Sequence, residues 1–184
     1  IGHSHVLGPD MRPPHKAIDV ARRLTLKACT RLRRYEYHAA RFSISARLED
    51  GARIAREYRT LPARDSMTFM TYLYDFWEKH IPKSIHVQVK KLSVALYHLT
   101  PDKEVVPDLF GGEGAQMGQS KASGLVLPGT AMERKIRLSC ALDDINYRFG
   151  RDSALIGMLP SSGRSFSGSK IAFTRIPDRE EFFE

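Results

Sequence analysis

The sequence predicts an α+β domain: a four-stranded antiparallel sheet with two helices on one face and the other face open, followed by a linker and a C-terminal helical or extended tail. Three observations carry that expectation. The residues on either side of the turn signal Glu49-Asp50-Gly51 alternate with period two, which marks a β-hairpin. Residues 14–35 and 67–81 repeat their apolar positions at helical spacing. The order over the first hundred residues is strand, helix, strand, strand, helix, strand, a split β-α-β arrangement.

Each element has its own signal. IGHSHVL, residues 1–7, is short, apolar at Ile1, Val6 and Leu7, and closed by Gly8-Pro9, so it reads as a strand entering a loop. After Pro13-Pro14, the residues Ala17, Ala21, Leu24, Ala28 and Leu32 form one helical stripe, while Arg22, Arg23, Lys27, Arg31, Arg33 and Arg34 spread over the remaining surface. Cations crowding the last turns suit the negative end of the helix dipole. In the next strand Phe42, Ile44, Ala46 and Leu48 point one way and Arg41, Ser43, Ser45 and Arg47 the other, giving an apolar core face and a polar, basic open face. The return strand carries Arg53, Arg56 and Arg59 with less regular alternation.

Asp65-Ser66 offers N-cap chemistry for the second helix, whose Phe69, Leu73, Phe76, Trp77 and His80 share a side, and Pro82 ends it. Residues 84–100 read as the last strand. Val87 and Val89 are in one phase and Leu92, Val94 and Leu96 in the other, so the break at Lys90-Lys91 predicts a β-bulge. Lys91, Ser93 and Tyr97 then lie opposite the apolar set.

Residues 101–130 shift to Gly, Ser, Asp and Pro, the composition of a linker. In residues 131–184, Ile136, Leu138, Leu142, Ile145 and Phe149 recur at helical spacing before Gly150, and KIAFTRI at 170–176 has the pattern of a short strand. The expected organisation is a domain over 1–100, a linker over 101–130 and a helix with a tail over 131–184. At 184 residues, one domain plus an extension is the natural reading. The start at Ile1, without a signal-peptide pattern, suggests a piece of a longer protein.

Charge points to a class of partner. The net +8 is uneven: residues 1–100 hold 18 Lys and Arg against 9 Asp and Glu, whereas residues 101–184 hold 11 against 12. A small domain with that excess either suits a polyanion, whose counterions its cations would release, or uses the charge only for solubility. No run of eighteen apolar residues suggests a membrane span. Cys29 and Cys140 lack a CxxC arrangement or metal spacing and read as thiols in a reducing cytoplasm. His3 and His5 are too few for a metal site. No Walker A, GxGxxG, GxSxG or HExxH motif occurs, and adjacent Asp143-Asp144 would diverge on a helix, so no catalytic machinery is visible.

The open face is the remaining candidate. Arg41, Ser43, Ser45, Arg47, Arg59, Lys90 and Lys91 combine strong cations with short hydroxyls, which suits phosphate oxygens and suits base edges poorly. Single-stranded RNA readers on similar sheets stack bases on exposed aromatics. Only Tyr37 and Tyr97 are expected to be exposed here, so duplex phosphates are favoured.

These residues resemble a known family. The chain is similar to the C-terminal part of bacterial Y-family translesion DNA polymerases, the group containing DNA polymerase IV and the catalytic subunit of DNA polymerase V. IGHSHVL resembles the strand that enters their little finger domain, YRTLP the third strand and KKLSVAL the last. DLFGG at 108–112 resembles their sliding-clamp motif, and LSCALDDINYRFGRDSALIG at 138–157 resembles a C-terminal segment of the longer bacterial members.

The resemblance implies a non-catalytic piece whose polymerase core, with its Mg-binding carboxylates, lies elsewhere. No cofactor is expected in the piece itself. Its implied partners are primer-template DNA, gripped at the phosphates, and the sliding clamp, the DNA polymerase III beta subunit. The implied DNA contacts are Gly2 and His3 from the first strand, Arg59 from the third, and Lys90 and Lys91 from the last. The implied clamp contacts are Val106, Asp108, Leu109 and Phe110. Family members often carry Arg at positions 3, 90 and 91, and usually Gln and Leu before Asp-Leu-Phe, where Val106 and Pro107 stand. The last departure predicts a weaker grip on the clamp. Two readings compete: a single-stranded RNA or nucleic-acid module on the same sheet, and a protein-interaction domain whose charge is incidental.

Overall fold

The computed structural model describes residues 1–82, 84, 86–105, 131–150, 153, 154 and 156. Its elements are β1 (Gly2–Val6), α1 (Pro14–Arg34), β2 (Tyr37–Leu48), β3 (Arg53–Ala63), α2 (Ser66–His80), β4 (Val89–Pro101) and α3 (Ala131–Phe149), with short 3-10 turns at Pro9–Met11 and Asp102–Glu104. The strands form one antiparallel sheet in the order β1-β4-β2-β3. β4 therefore separates the parallel pair β1 and β2, which α1 connects. In the same way β2 separates β3 and β4, which α2 connects. The predicted α+β split β-α-β architecture is the observed one.

Local chemistry accounts for the boundaries. The hairpin closes with Gly51 at φ 90°, a conformation cheap only for glycine, while Leu48 N donates to Ala52 O at 2.8 Å and Asp50 Oδ1 accepts from Ala52 N at 2.8 Å. Helix α2 starts at the predicted cap: Asp65 Oδ1 accepts from Thr68 N at 2.8 Å, and Asp65 is fully buried. Helix α1 has no side-chain cap and begins instead on Pro13-Pro14, whose fixed φ suits a first turn. The bulge also appears as predicted. Arg47 pairs with Lys91 and Leu48 with Val89, so Lys90 is the extra residue. The last strand starts at Val89, later than the sequence pattern suggests, where Val89 N donates to Arg12 O at 2.8 Å.

Phe42, Ile44, Ala46 and Leu48 of β2 are buried with Leu92, Val94 and Leu96 of β4 against Ala17, Ala21, Ala28 and Leu32 of α1 and Phe69, Leu73 and Phe76 of α2. The stripe on α1 is wider than its alanines and leucines suggest, because Val20, Thr25 and Cys29 are buried too. Tyr37 departs from expectation: it packs against this core and is not an exposed stacking surface.

Helix α3 docks on the back of the helix layer. Arg33 grips Asp143 with two hydrogen bonds, Nε to Oδ2 at 2.6 Å and Nη2 to Oδ1 at 2.9 Å, and Thr30 Oγ1 donates to the same Oδ1 at 2.8 Å. Ser139 Oγ accepts from Ser66 N at 3.0 Å. These hydrogen bonds are joined by Met132, which packs against the core, while of the predicted apolar stripe Ile136 and Leu142 are half-buried and Leu138, Ile145 and Phe149 stay exposed. No helix among the described residues is long and apolar enough to cross a membrane.

Candidate nucleic-acid interface

Antiparallel pairing places directly opposed residues on the same side of a sheet, so register orders the open face into rows. The first row is Val6, Lys91, Arg47 and Arg53; the second is Ser4, Ser93, Ser45 and Ala55; the third is Gly2, Ala95, Ser43 and Glu57; the fourth is Tyr97, Arg41 and Arg59. The second and third rows are almost entirely Gly, Ala and Ser, a low floor between two rows that carry cations. Arg47 and Arg41 are six residues apart on β2, so the two rows lie about 20 Å apart at strand rise.

The two ends of this floor differ. At the hairpin end Ser45, Arg47, Arg53, Lys91 and Ser93 line a depression of about 200 Å³. Among the described residues no carboxylate pairs with its three cations. At the other end Glu57 intervenes: Arg41 Nη1 donates to its Oε1 and the Tyr97 hydroxyl to its Oε2. Those hydrogen bonds, from Tyr97 first and then Arg41, hold the Glu57 carboxyl below the usual carboxylate range. Donating to that carboxylate pushes the Tyr97 hydroxyl up in turn.

The structure brings Arg41, Ser43, Ser45, Arg47, Arg59 and Lys91 onto one surface, with the Gly2 backbone at its edge. Gly2 has little room for a side chain, since an added Cβ would come 3.3 Å from the Val94 carbonyl. Lys90 is exposed at the bulge, just beyond the first row. His3 can reach the open face only through its backbone, one of the two kinds of contact expected of it. It pairs with Val94, and His5 with Leu92, so both imidazoles face the helices. The sequence left the side of His3 and His5 open, because the phase of a five-residue edge strand is set only by its partner.

Arg53 and Glu57 were missing from the predicted surface. Their signal was present as the period-two series 53, 55, 57, 59 in phase with Arg59. Arg56, out of phase, lies on the helix side, where its Nε donates to His80 Nε2 of α2 at 3.2 Å. Val106, Asp108, Leu109 and Phe110, and the strand expected at 170–176, lie outside the described residues. Cys29 is buried, which pushes its thiol up to about 12, and Cys140 is exposed.

Fold and face together define a small sheet domain with a basic, smooth-floored open surface. The family comparison is specific: residues 1–109 match the impB/mucB/samB family C-terminal domain, and the chain belongs to that family. This is the Y-family polymerase little finger that the strand motifs anticipate, and the match ends just past β4, so α3 lies beyond it. No curated protein sequence matches the chain.

Among solved structures, the chain is similar to one described as a complex of the beta-clamp processivity factor and the little finger domain of PolIV, at 15% identity and a TM-score of 0.44, covering 68% of this chain and 98% of that one. It is also similar to a post-insertion binary complex of Dbh DNA polymerase, at 12% identity and 0.44, covering 55% and 29%. A third is DinB from Sulfolobus solfataricus, at 14% identity and 0.39, covering 52% and 28%. The chain thus spans under a third of the two polymerases.

Proposed function

We propose that the open face binds the sugar-phosphate backbone of a DNA duplex, the primer-template of a translesion polymerase of which this chain is the C-terminal part, without reading sequence. The observation that carries the reading is the pair of cation-bearing rows about 20 Å apart across a floor of Gly, Ala and Ser. Arginine and lysine arms reaching inward from such rows span phosphates on the two sides of a B-form major groove, about 12 Å wide. The flat floor lets the backbone approach without meeting a side chain that selects a base. Contacts of this kind tolerate a distorted duplex, which suits copying of damaged templates. Catalysis is assigned to the polymerase core and not to this piece.

The single-strand reading loses support on particular residues. Of the two aromatics expected on the open face, Tyr37 packs on the core, which leaves Tyr97 without Tyr37 as a second stacking platform.

The test is titration of a primer-template duplex over a range of salt. Replacing Arg47, Arg53 and Lys91 together by Ala is expected to lower the slope of log K against log salt by up to about 2.7, roughly 0.9 for each phosphate no longer neutralised. An unchanged affinity and slope would remove the face from the account, and a preference for single strands would favour the competing reading.

The tether to the sliding clamp is the second part of the proposal and rests on the sequence Asp108-Leu109-Phe110-Gly111-Gly112. Two large apolar side chains beside Gly-Gly suit insertion into a cleft on a partner, and a tether raises the local concentration of polymerase at the primer end. The clamp should bind the parent chain and lose most of that binding in Leu109→Ala/Phe110→Ala. Clamp binding without any duplex binding would favour a protein-interaction domain with incidental charge.

A further inference from the structure

Glu57 is an odd residue for a phosphate-gripping surface. It is the one acid in the four rows, and it stands beside the two cations of the fourth row, opposite Ser43 and one strand step from Arg59. Its two oxygens are divided between the Arg41 guanidinium and the Tyr97 hydroxyl. With Arg59 beside them, these are donors that a phosphate arriving at this end of the face would use. The carboxylate is itself a small planar anion, and it is anchored on β3 at the height of the floor. The Arg41 side chain is 24% and the Glu57 side chain 42% exposed, so both are accessible to a competing anion.

We propose that Glu57 is a built-in competitor for phosphate. Its carboxylate holds the place on Arg41 and Tyr97 that a backbone phosphate takes in the complex, and nucleic acid binds at this end by exchange with it. The hairpin end, with Arg47, Arg53 and Lys91, receives phosphate directly. The face therefore has one open subsite and one gated subsite, and the gate restrains both affinity and salt dependence. That restraint fits a domain that must slide along a product duplex and release it. The inference rests on the reading of this face as a duplex-binding surface.

The test compares Glu57→Gln with Glu78→Gln, which makes the same charge change on α2, on the other side of the sheet. At low salt Glu57→Gln should bind a primer-template duplex about threefold to tenfold more tightly, the reach of one partly exposed ion pair. Its salt slope should steepen by about 0.9, the mark of one additional phosphate neutralised. Glu78→Gln should change neither by as much. In an Arg41→Ala background most of the gain from Glu57→Gln should be lost, leaving only what Arg59 contributes. Tyr97→Phe, which frees one carboxylate oxygen without changing charge, should leave the slope at the parental value.

Equal or weaker binding by Glu57→Gln would overturn the proposal and make Glu57 a positioning residue that holds Arg41 in place. An equal gain in Glu78→Gln would overturn it too, reducing the effect to net charge. If the parent chain and the hairpin-end variant both fail to bind duplex at low salt, the duplex reading itself falls, and the inference with it.

Discussion

The two faces of one sheet are made by the same strands and obey different rules. On β2, Phe42, Ile44 and Ala46 are buried completely while Arg41, Ser43, Ser45 and Arg47 alternate with them on the open side. The helix face is fixed by packing, where volume decides and each methylene matters. The open face has small residues where packing would demand large ones and charges where burial would forbid them. The difference separates the energy of folding from the energy of binding to within one residue along the chain. Substitutions on one face should therefore leave the property of the other almost untouched.

The largest effect is expected at Phe42. It is fully buried, with its ring 5.9 Å from Phe69 and 6.4 Å from Tyr58. Phe42→Ala should cost about 3–5 kcal/mol of unfolding free energy through reduced burial and the cavity left behind. Ser45→Ala, on the other face, should change stability by about 0.5 kcal/mol or less. Denaturant titration checks both. A Phe42→Ala protein that is folded but no longer shows the salt slope of duplex binding would break the separation between the faces.

A smaller effect tests whether α3 belongs to the helix face. Asp143 receives hydrogen bonds from Arg33 and Thr30, and the Arg33 side chain is only 6% exposed. Asp143→Ala leaves that guanidinium with Arg64 O and Ser66 Oγ as partners. A loss of roughly 2 kcal/mol follows from a mostly buried charge deprived of its counterion. Duplex affinity should stay at the parental value, because α3 sits behind the helices. A parallel loss of affinity would show that α3 supports the open face as well.

How far each part was legible follows from what fixes it. Alternation around Gly51, the Asp65 cap and the phase break at Lys90 are local signals, and all three appear where the sequence puts them. The register is not local. Ser4, Ser93 and Ser45 share a row only because β1 and β4 pair, and the facing of His3 follows from Val94, ninety-one residues away. The side of Glu57 was legible from its phase with Arg59, but its pairing with Tyr97, two strands away, was not. Helix α3 was legible as a helix but not in its docking side. The apolar stripe runs through Ile136, Leu138, Leu142, Ile145 and Phe149, whereas the hydrogen bonds to the domain come from Ser139 and Asp143, because the groove behind α1 and α2 offers a backbone N–H and a guanidinium.

The smallest effect concerns a buried group at the edge between the faces. His38 lies at the start of β2, buried, with Asp102 3.5 Å from its Nδ1 and Arg64 nearby. Burial first, and then the Arg64 charge, hold its imidazole below the ordinary value of 6.5, with Asp102 opposing them. The unfolded chain therefore takes up a proton at His38 more readily than the folded one. Stability from this group is complete above about pH 6.5 and is lost as pH falls through the depressed folded value. Thermal melts should fall from about pH 7.5 to about pH 5.5, a window above the range where the carboxylates titrate. His38→Gln, neutral throughout, should flatten that fall. A slope unchanged in His38→Gln would place the proton uptake on another group, and a slope of opposite sign would mean that Asp102 outweighs burial.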